Sequence, residues 1–200
     1  MNRWLLPPLA LALMAAAVSA EEPLPAGKPT LTPGDPAPDF ELPETGEAGA
    51  KAPEKLSGYQ GRKNVVVAFY PRVFTPGCTK QMCGYRDDFA KFQERDAEII
   101  AISVDPQSES DRFKKEHKFP FAVVGDEDGH LRKAYGVPAM EWQDQRLAQR
   151  SVFLVDKKGV VRYADLKYDI AKGQDALLAK LDEINGKSAK VAPVPEVSAP

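Results

Sequence analysis

The sequence predicts an α/β fold, a central mixed β-sheet flanked by helices, and three observations carry that prediction. "NVVVAFY" (64–70) is a β-branched, wholly apolar run of the kind buried on both faces in the middle of a sheet. Strand-like and helical patterns then alternate along the chain, as they do where helices cover a sheet. Finally, "SVFLVDKKGVVRYADL" (151–166) reads as two strands around a Lys-Gly turn.

The elements follow in order. In residues 1–20, Arg3 precedes the apolar stretch "WLLPPLALALMAAAV" and the small-residue site "VSA". This is the pattern of a cleaved export signal, and the apolar run is shorter than the ~20 residues a spanning helix needs. Residues 21–33 are a Pro- and Gly-rich extended lead-in, and a single domain is expected over 34–185. After the 64–70 strand, "TPGCTKQMCGYRDDFAKFQER" reads as one helix, with Met82, Tyr85, Phe89 and Phe92 spaced along one face. "AEIIAISVD" (97–105) is the next strand. "SESDRFKKEHK" is a charged helix that Ser108 can cap. "FAVVGD" is a short strand, "GHLRKAYGV" a short helix, and "QDALLAKLDEIN" an amphipathic closing helix. Together these elements predict a thioredoxin-like fold. Phe69, Phe89, Phe113 and Phe153 are expected in its core, whereas Trp142 has no evident place. Residues 186–200, rich in Pro, Ala and Val without aromatics, are expected to be a disordered tail.

The formal net charge of −2 argues against nucleic acid as a partner, because phosphate binding wants a basic surface. After signal cleavage no remaining segment is apolar enough to span a membrane. The export signal points to a bacterial periplasm, an oxidising compartment in which two cysteines default to a disulfide.

Both cysteines of the chain, Cys78 and Cys83, lie in "FTPGCTKQMCGYRD". Thr75 stands where a helix N-cap belongs, and Pro76 suits the first helical position. Cys78 then falls in the first turn, where the helix dipole and free N–H groups favour a thiolate. Gly77 leaves the approach to the sulfur uncovered. In an ideal helix, residues five apart have Cα atoms roughly 8.7 Å apart, beyond the about 7 Å a disulfide spans. Either there is no helix here or a disulfide forms only when it unwinds. Gly84, a poor helix residue, eases that unwinding. A metal centre lacks ligands, since the only histidines, His117 and His130, sit beside charged or turn residues. No metal or cofactor is expected. Three readings stay open on the residues alone: a working thiol, an exported thiol–disulfide oxidoreductase, and a non-enzymatic domain with a structural disulfide. The spacing C-x-x-x-x-C, not C-x-x-C, counts against the second.

"YPRVFTPGCTKQMCGYRD" resembles the active site of peroxiredoxins, thiol peroxidases of thioredoxin-like fold, and within them the PrxQ, or bacterioferritin comigratory protein, type. The family pattern P-x-x-x-T-x-x-C falls on Pro71, Thr75 and Cys78, and the subfamily's second cysteine on Cys83. "GDPAPDFELP", "GDEDGHLRKAYGV" and "QRSVFLVDKKGVV" are similar to further family blocks, the last placing the family's arginine at Arg150. The similarity covers residues 34 to about 184. Gln81 stands where the subfamily usually has Glu, and the stretch from Pro138 to Gln149 is divergent.

The resemblance implies a peroxidase in which Cys78 attacks a hydroperoxide and Cys83 resolves the sulfenic acid as an intramolecular disulfide. Thr75 would donate its hydroxyl to the thiolate or the peroxide. Arg150 and the N–H groups of Gly77 and Cys78 would stabilise developing charge, and Pro71 would shield the sulfur. The implied partners are hydrogen peroxide or an organic hydroperoxide and a thioredoxin-like reductant protein, acting on a monomer.

Overall fold

The computed structural model describes residues 30–43 and 54–186. The expected signal (1–20), most of the lead-in and nearly all of the tail lie outside the described residues.

Five strands form the main sheet: β1 (Asn64–Phe69), β2 (Ala97–Ser103), β3 (Ala122–Gly125), β6 (Ser151–Val155) and β7 (Val161–Asp165), in the order β3-β2-β1-β6-β7. β1 runs parallel to β2 and β2 to β3, whereas β6 is antiparallel to both β1 and β7. The sheet is therefore mixed and β1 is central, as its unbroken apolar run requires. Every residue of β1 is buried.

Side chains alternate along β1 and feed two cores. Val66, Ala68 and Tyr70 point to one layer, with Met82 and Tyr85 of α1 (Pro76–Asp87), Phe113 of α3 (Gln107–His117), and Leu177 and Leu181 of α5 (Gly173–Ile184). Val65, Val67 and Phe69 point to the other, with Leu31, Phe40, Tyr135 and Phe153. Leu131 of α4 (His130–Ala134) packs against that second layer. Phe69 and Phe153 meet edge to face at 6.0 Å within it. No helix among the described residues is long and apolar enough to cross a membrane.

Two local expectations are corrected, and one open stretch gains a structure. The first long helix is broken: α1 ends at Asp87, and a second helix, α2 (Phe89–Gln93), follows from Asp88 at φ −102, ψ 14. The break lets Phe92 turn into the core while the Gln174 amide Nε2 donates to Asp88 Oδ2 at 2.5 Å. Ser108 does not cap α3. The N-cap is Pro106, whose carbonyl accepts the N–H groups of Glu109 (3.0 Å) and Ser110 (3.2 Å), so Ser108 lies inside the first turn. The divergent stretch forms a two-stranded hairpin of its own, β4 (Ala139–Trp142) and β5 (Gln145–Ala148). Trp142 lies exposed on it with Met140, and the Gln149 N–H closes its base on Pro138 O at 2.9 Å.

Candidate active site

The site gathers at the carboxyl end of β1. The chain leaves the sheet at Tyr70, turns through Pro71–Thr75, and enters α1 at Pro76. Asp105, buried just beyond β2, pins that turn. Its Oδ2 accepts the Val73 N–H at 2.8 Å, and its Oδ1 pairs with Arg72 Nε at 3.6 Å. Phe74 adopts φ 55, a left-handed conformation that costs a non-glycine residue energy. Packing holds it there: its ring meets Phe113 edge to face at 4.9 Å, and the Arg112 guanidinium lies 4.5 Å above it.

Thr75 occupies the N-cap position with extended backbone, φ −83, ψ 146, and its carbonyl accepts the Thr79 N–H at 2.8 Å. Its side chain does not cap the helix. The hydroxyl instead donates to Arg72 O at 3.1 Å and closes the turn. In this state it is committed to that carbonyl rather than to sulfur.

Cys78 lies in the first turn of α1, 1% exposed, and Cys83 lies half-buried in the same helix. Both are free thiols. The helix is thus formed across the pair, the geometry in which they cannot bond. At the helix start the N–H groups of Gly77 and Cys78 have no intrahelical acceptor. A Cβ added at Gly77 would come within 3.7 Å of Arg150 Nη2, so the glycine keeps the ground between backbone and guanidinium clear.

Arg150 reaches the sulfur because of sheet register. Phe69 pairs with Ser151, which sets Arg150 opposite Tyr70 at the end of β1. The Arg150 carbonyl accepts the Tyr168 N–H at 3.2 Å. Its half-buried side chain directs Nη2 to Cys78 Sγ at 3.3 Å, while Nη1 donates to Gln81 Oε1. Pro71 is half-buried at the start of the turn. The structure therefore brings Pro71, Thr75, Gly77, Cys78 and Arg150 to one corner, and Cys83 one and a half turns along α1.

Sequence reasoning missed Asp105 and the contacts of Tyr85, and left the role of Gln81 open. Asp105 lies 32 residues from Val73 and has no local signature. Gln81, 3% exposed, contacts Arg150 and donates from Nε2 to Tyr85 Oη at 3.1 Å. Tyr85 is fully buried, and burial pushes its hydroxyl up to about 12, so it stays a neutral phenol. The resemblance had marked Gln81 as a departure from the usual Glu, without giving its partners. The hairpin also reaches the site, since Arg72 Nη1 donates to Gln145 Oε1 at 2.5 Å.

The chain resembles known proteins in both sequence and fold. Residues 33–164 match the model of the AhpC/TSA family. The chain is similar to a rice protein named peroxiredoxin Q, chloroplastic, 46% identical over 108 residues. That alignment covers 54% of this chain and 48% of the rice protein, so the chain spans about half the length of the plant relatives it matches. It is 39% identical over 133 residues to peroxiredoxin Bcp of Bacillus subtilis, covering 65% of this chain and 82% of that one. Among solved structures, peroxidoxin BcpB from Mycobacterium tuberculosis superposes with a TM-score of 0.65 at 30% identity, covering 76% of this chain and 97% of that one. Xanthomonas campestris peroxiredoxin Q gives 0.63 at 28% identity, covering 73% and 91%. With the family model matched over most of the chain and thioredoxin-fold peroxiredoxins as its structural neighbours, the chain belongs to the AhpC/TSA family of peroxiredoxins and is of the PrxQ and bacterioferritin comigratory protein type.

Proposed function

We propose that the protein is a thiol-dependent peroxidase that reduces hydrogen peroxide and organic hydroperoxides. The observation that carries this is Arg150 Nη2 at 3.3 Å from Cys78 Sγ, at the start of the helix that also holds Cys83. A thiolate there faces a fixed cation and two free backbone N–H groups, the arrangement that stabilises negative charge in a site closed to water.

The reaction runs in three balanced steps. The Cys78 thiolate attacks the terminal oxygen of ROOH; the S–O bond forms, the O–O bond breaks, and RO⁻ leaves to take a proton as alcohol or water. Arg150 and the N–H groups of Gly77 and Cys78 stabilise charge as it moves from sulfur to the leaving oxygen. Thr75 joins them only if its hydroxyl proton turns from Arg72 O. Pro71 shields the sulfur. The Cys83 thiol then condenses with the sulfenic acid, releasing water and closing the disulfide. A thioredoxin-type dithiol reduces that disulfide and becomes a disulfide itself. The chain acts as a monomer in this scheme.

The test is consumption of hydrogen peroxide and of cumene hydroperoxide by the purified protein with thioredoxin, its reductase and NADPH. Sustained turnover supports the reading. A protein that consumes no peroxide but is destabilised by reduction has a structural disulfide instead.

We also propose that the protein is exported to a periplasm, on the strength of the "VSA" site at 18–20. N-terminal sequencing of the exported protein is expected to begin at Glu21; a chain still starting at Met1 rules this out.

A further inference from the structure

Met140, 39% exposed, and Trp142, 43% exposed, are the exposed large apolar side chains among the described residues, and the scheme above uses neither. Both stand on the β4–β5 hairpin. Its register pairs Met140 with Leu147, Glu141 with Arg146 and Trp142 with Gln145, and residues directly opposite each other lie on one face. Met140, Trp142, Gln145 and Leu147 therefore share a face. The exposed Glu141–Arg146 ion pair, at 3.2 Å, lies on the other.

The face that carries Trp142 is the one joined to the active site. Leu147 is buried on it, and Gln145 Oε1 accepts Arg72 Nη1 at 2.5 Å, in the turn that leads to Cys78. The base of the hairpin closes between Gln149 N and Pro138 O, one residue before Arg150. Gln143 and Asp144 both hold positive φ, as in the tight turns that fit the twist of paired strands, so the hairpin is a short, preshaped projection. A Trp with a Met beside it, rimmed by charged groups, has the make-up of an anchor for another protein. A small molecule binds in a concave, enclosing site instead.

The size of the face selects the kind of protein. A stable interface takes on the order of 20–30 residues a side, and two four-residue strands supply only a fraction of that. Such a face suits a protein that docks briefly and leaves, not a second copy held permanently. The proposed cycle calls for one such visitor, a dithiol protein that must reach Cys78 and Cys83, and the hairpin is bonded to the turn that carries Cys78.

We propose that the Met140–Trp142 face docks the thioredoxin-type protein that reduces the Cys78–Cys83 disulfide. A thiolate of the docked protein attacks one sulfur of the pair, and the Cys78–Cys83 bond breaks as a mixed disulfide forms. Its second thiol then displaces that mixed disulfide, so the visitor leaves as a disulfide and the pair as two thiols. The proposal rests on the peroxidase reading for the identity of the visitor.

The test uses the full chain oxidised to the Cys78–Cys83 disulfide with diamide, which takes up the two hydrogens and needs no peroxidase activity. The second-order rate constant for reduction by a reduced bacterial thioredoxin is measured by acid quench and thiol labelling. Dithiothreitol serves as a small dithiol that needs no docking. Losing an interfacial anchor predicts that Trp142→Gln slows thioredoxin roughly tenfold and Met140→Gln roughly threefold, with Trp142→Phe retaining most of the rate. Reduction by dithiothreitol is expected to stay within about twofold of wild type in all three. Thermal unfolding checks each variant, and if Trp142→Gln does not fold, Met140→Gln decides alone. Unchanged thioredoxin rates, or equal slowing with dithiothreitol, would overturn the proposal. Two further results would also overturn it, each with the thioredoxin rate unchanged. Slower oxidation by cumene hydroperoxide but not by hydrogen peroxide would make the face a substrate wall. A wild-type dimer that the variants dissociate would give the face to a second copy. Variants that follow the expected pattern in a protein that reacts with no peroxide would keep the docking face and reject the peroxidase reading.

Discussion

Cys78→Ser is expected to abolish peroxide turnover, whereas Cys83→Ser is expected to leave one equivalent of peroxide consumed and no more. The first follows from the chemistry of the attacking atom: a serine hydroxyl at neutral pH is not an anion and cannot stand in for a thiolate. Cys78 is 1% exposed and packs in the core layer beneath α1, and serine is slightly smaller, so the fold should accommodate the change. The second follows from position. The Arg150 guanidinium bonds Cys78 and Gln81, and Cys83 lies further along α1, so the attack on the O–O bond proceeds without it. What is lost is closure, and the sulfenic acid should persist on Cys78, where dimedone traps it. Rapid-mixing kinetics with one and with ten equivalents of peroxide separates the two variants. Equal steady-state rates in both would reject the assignment of roles.

Arg150→Ala is expected to slow the first step about 10²–10³-fold, the loss seen when one preorganised donor to a developing charge is removed, about 2.7–4 kcal/mol of transition-state stabilisation. The site loses the cation at 3.3 Å from the sulfur and the donor to Gln81 together. The fold should survive, since the Arg150 carbonyl still accepts the Tyr168 N–H and β6 still pairs with β1. The measurement is the second-order rate constant for Cys78 oxidation, with thermal unfolding alongside. A rate within about twofold of wild type would make Arg150 an ordinary arginine at a strand start.

What the sequence disclosed depended on how local the cause was. β1 was legible because six consecutive buried residues leave a continuous apolar run. The start of α1 was legible because Thr75 and Pro76 mark a helix entry on their own, and the cap residue and first helical residue fall there. The capping bond was not legible: the Thr75 hydroxyl turns to Arg72 O, a choice made by the tertiary shape of the turn. The hairpin at 139–148 went unseen for a different reason. Its turn residues Gln143 and Asp144 both adopt positive φ, 48 and 60, without the Gly or Asn that usually announces such a turn. Its strand β4 is mostly exposed and presents no apolar alternation. At the site, Arg150 lies 72 residues from Cys78, and nothing local links them. Only the resemblance to peroxiredoxins pointed to it, and sheet register is what brings it there. Asp105 carried neither a local nor a family signal, helical spacing marked Tyr85 only as a core position, and the contacts of both became visible only in the fold.

With α1 formed across them, Cys78 and Cys83 are expected to bond only by melting the helix between them. Two contacts bound the segment that can melt. Arg86 Nη1 donates to His117 O at 2.9 Å, and Gln174 holds Asp88, so α1 is anchored to α3 and α5 just beyond Tyr85. Amide hydrogen exchange reports such local opening residue by residue. The direct measurement compares the fully reduced protein with protein oxidised by one equivalent of peroxide, and mass spectrometry confirms the Cys78–Cys83 disulfide. Exchange is expected to quicken from Thr79 to Tyr85 on oxidation, with residues 65–69 of β1 unchanged and mild dithiol restoring the reduced pattern. Equal protection of α1 in both states, with the disulfide formed, would mean that the cysteines bond without the helix opening.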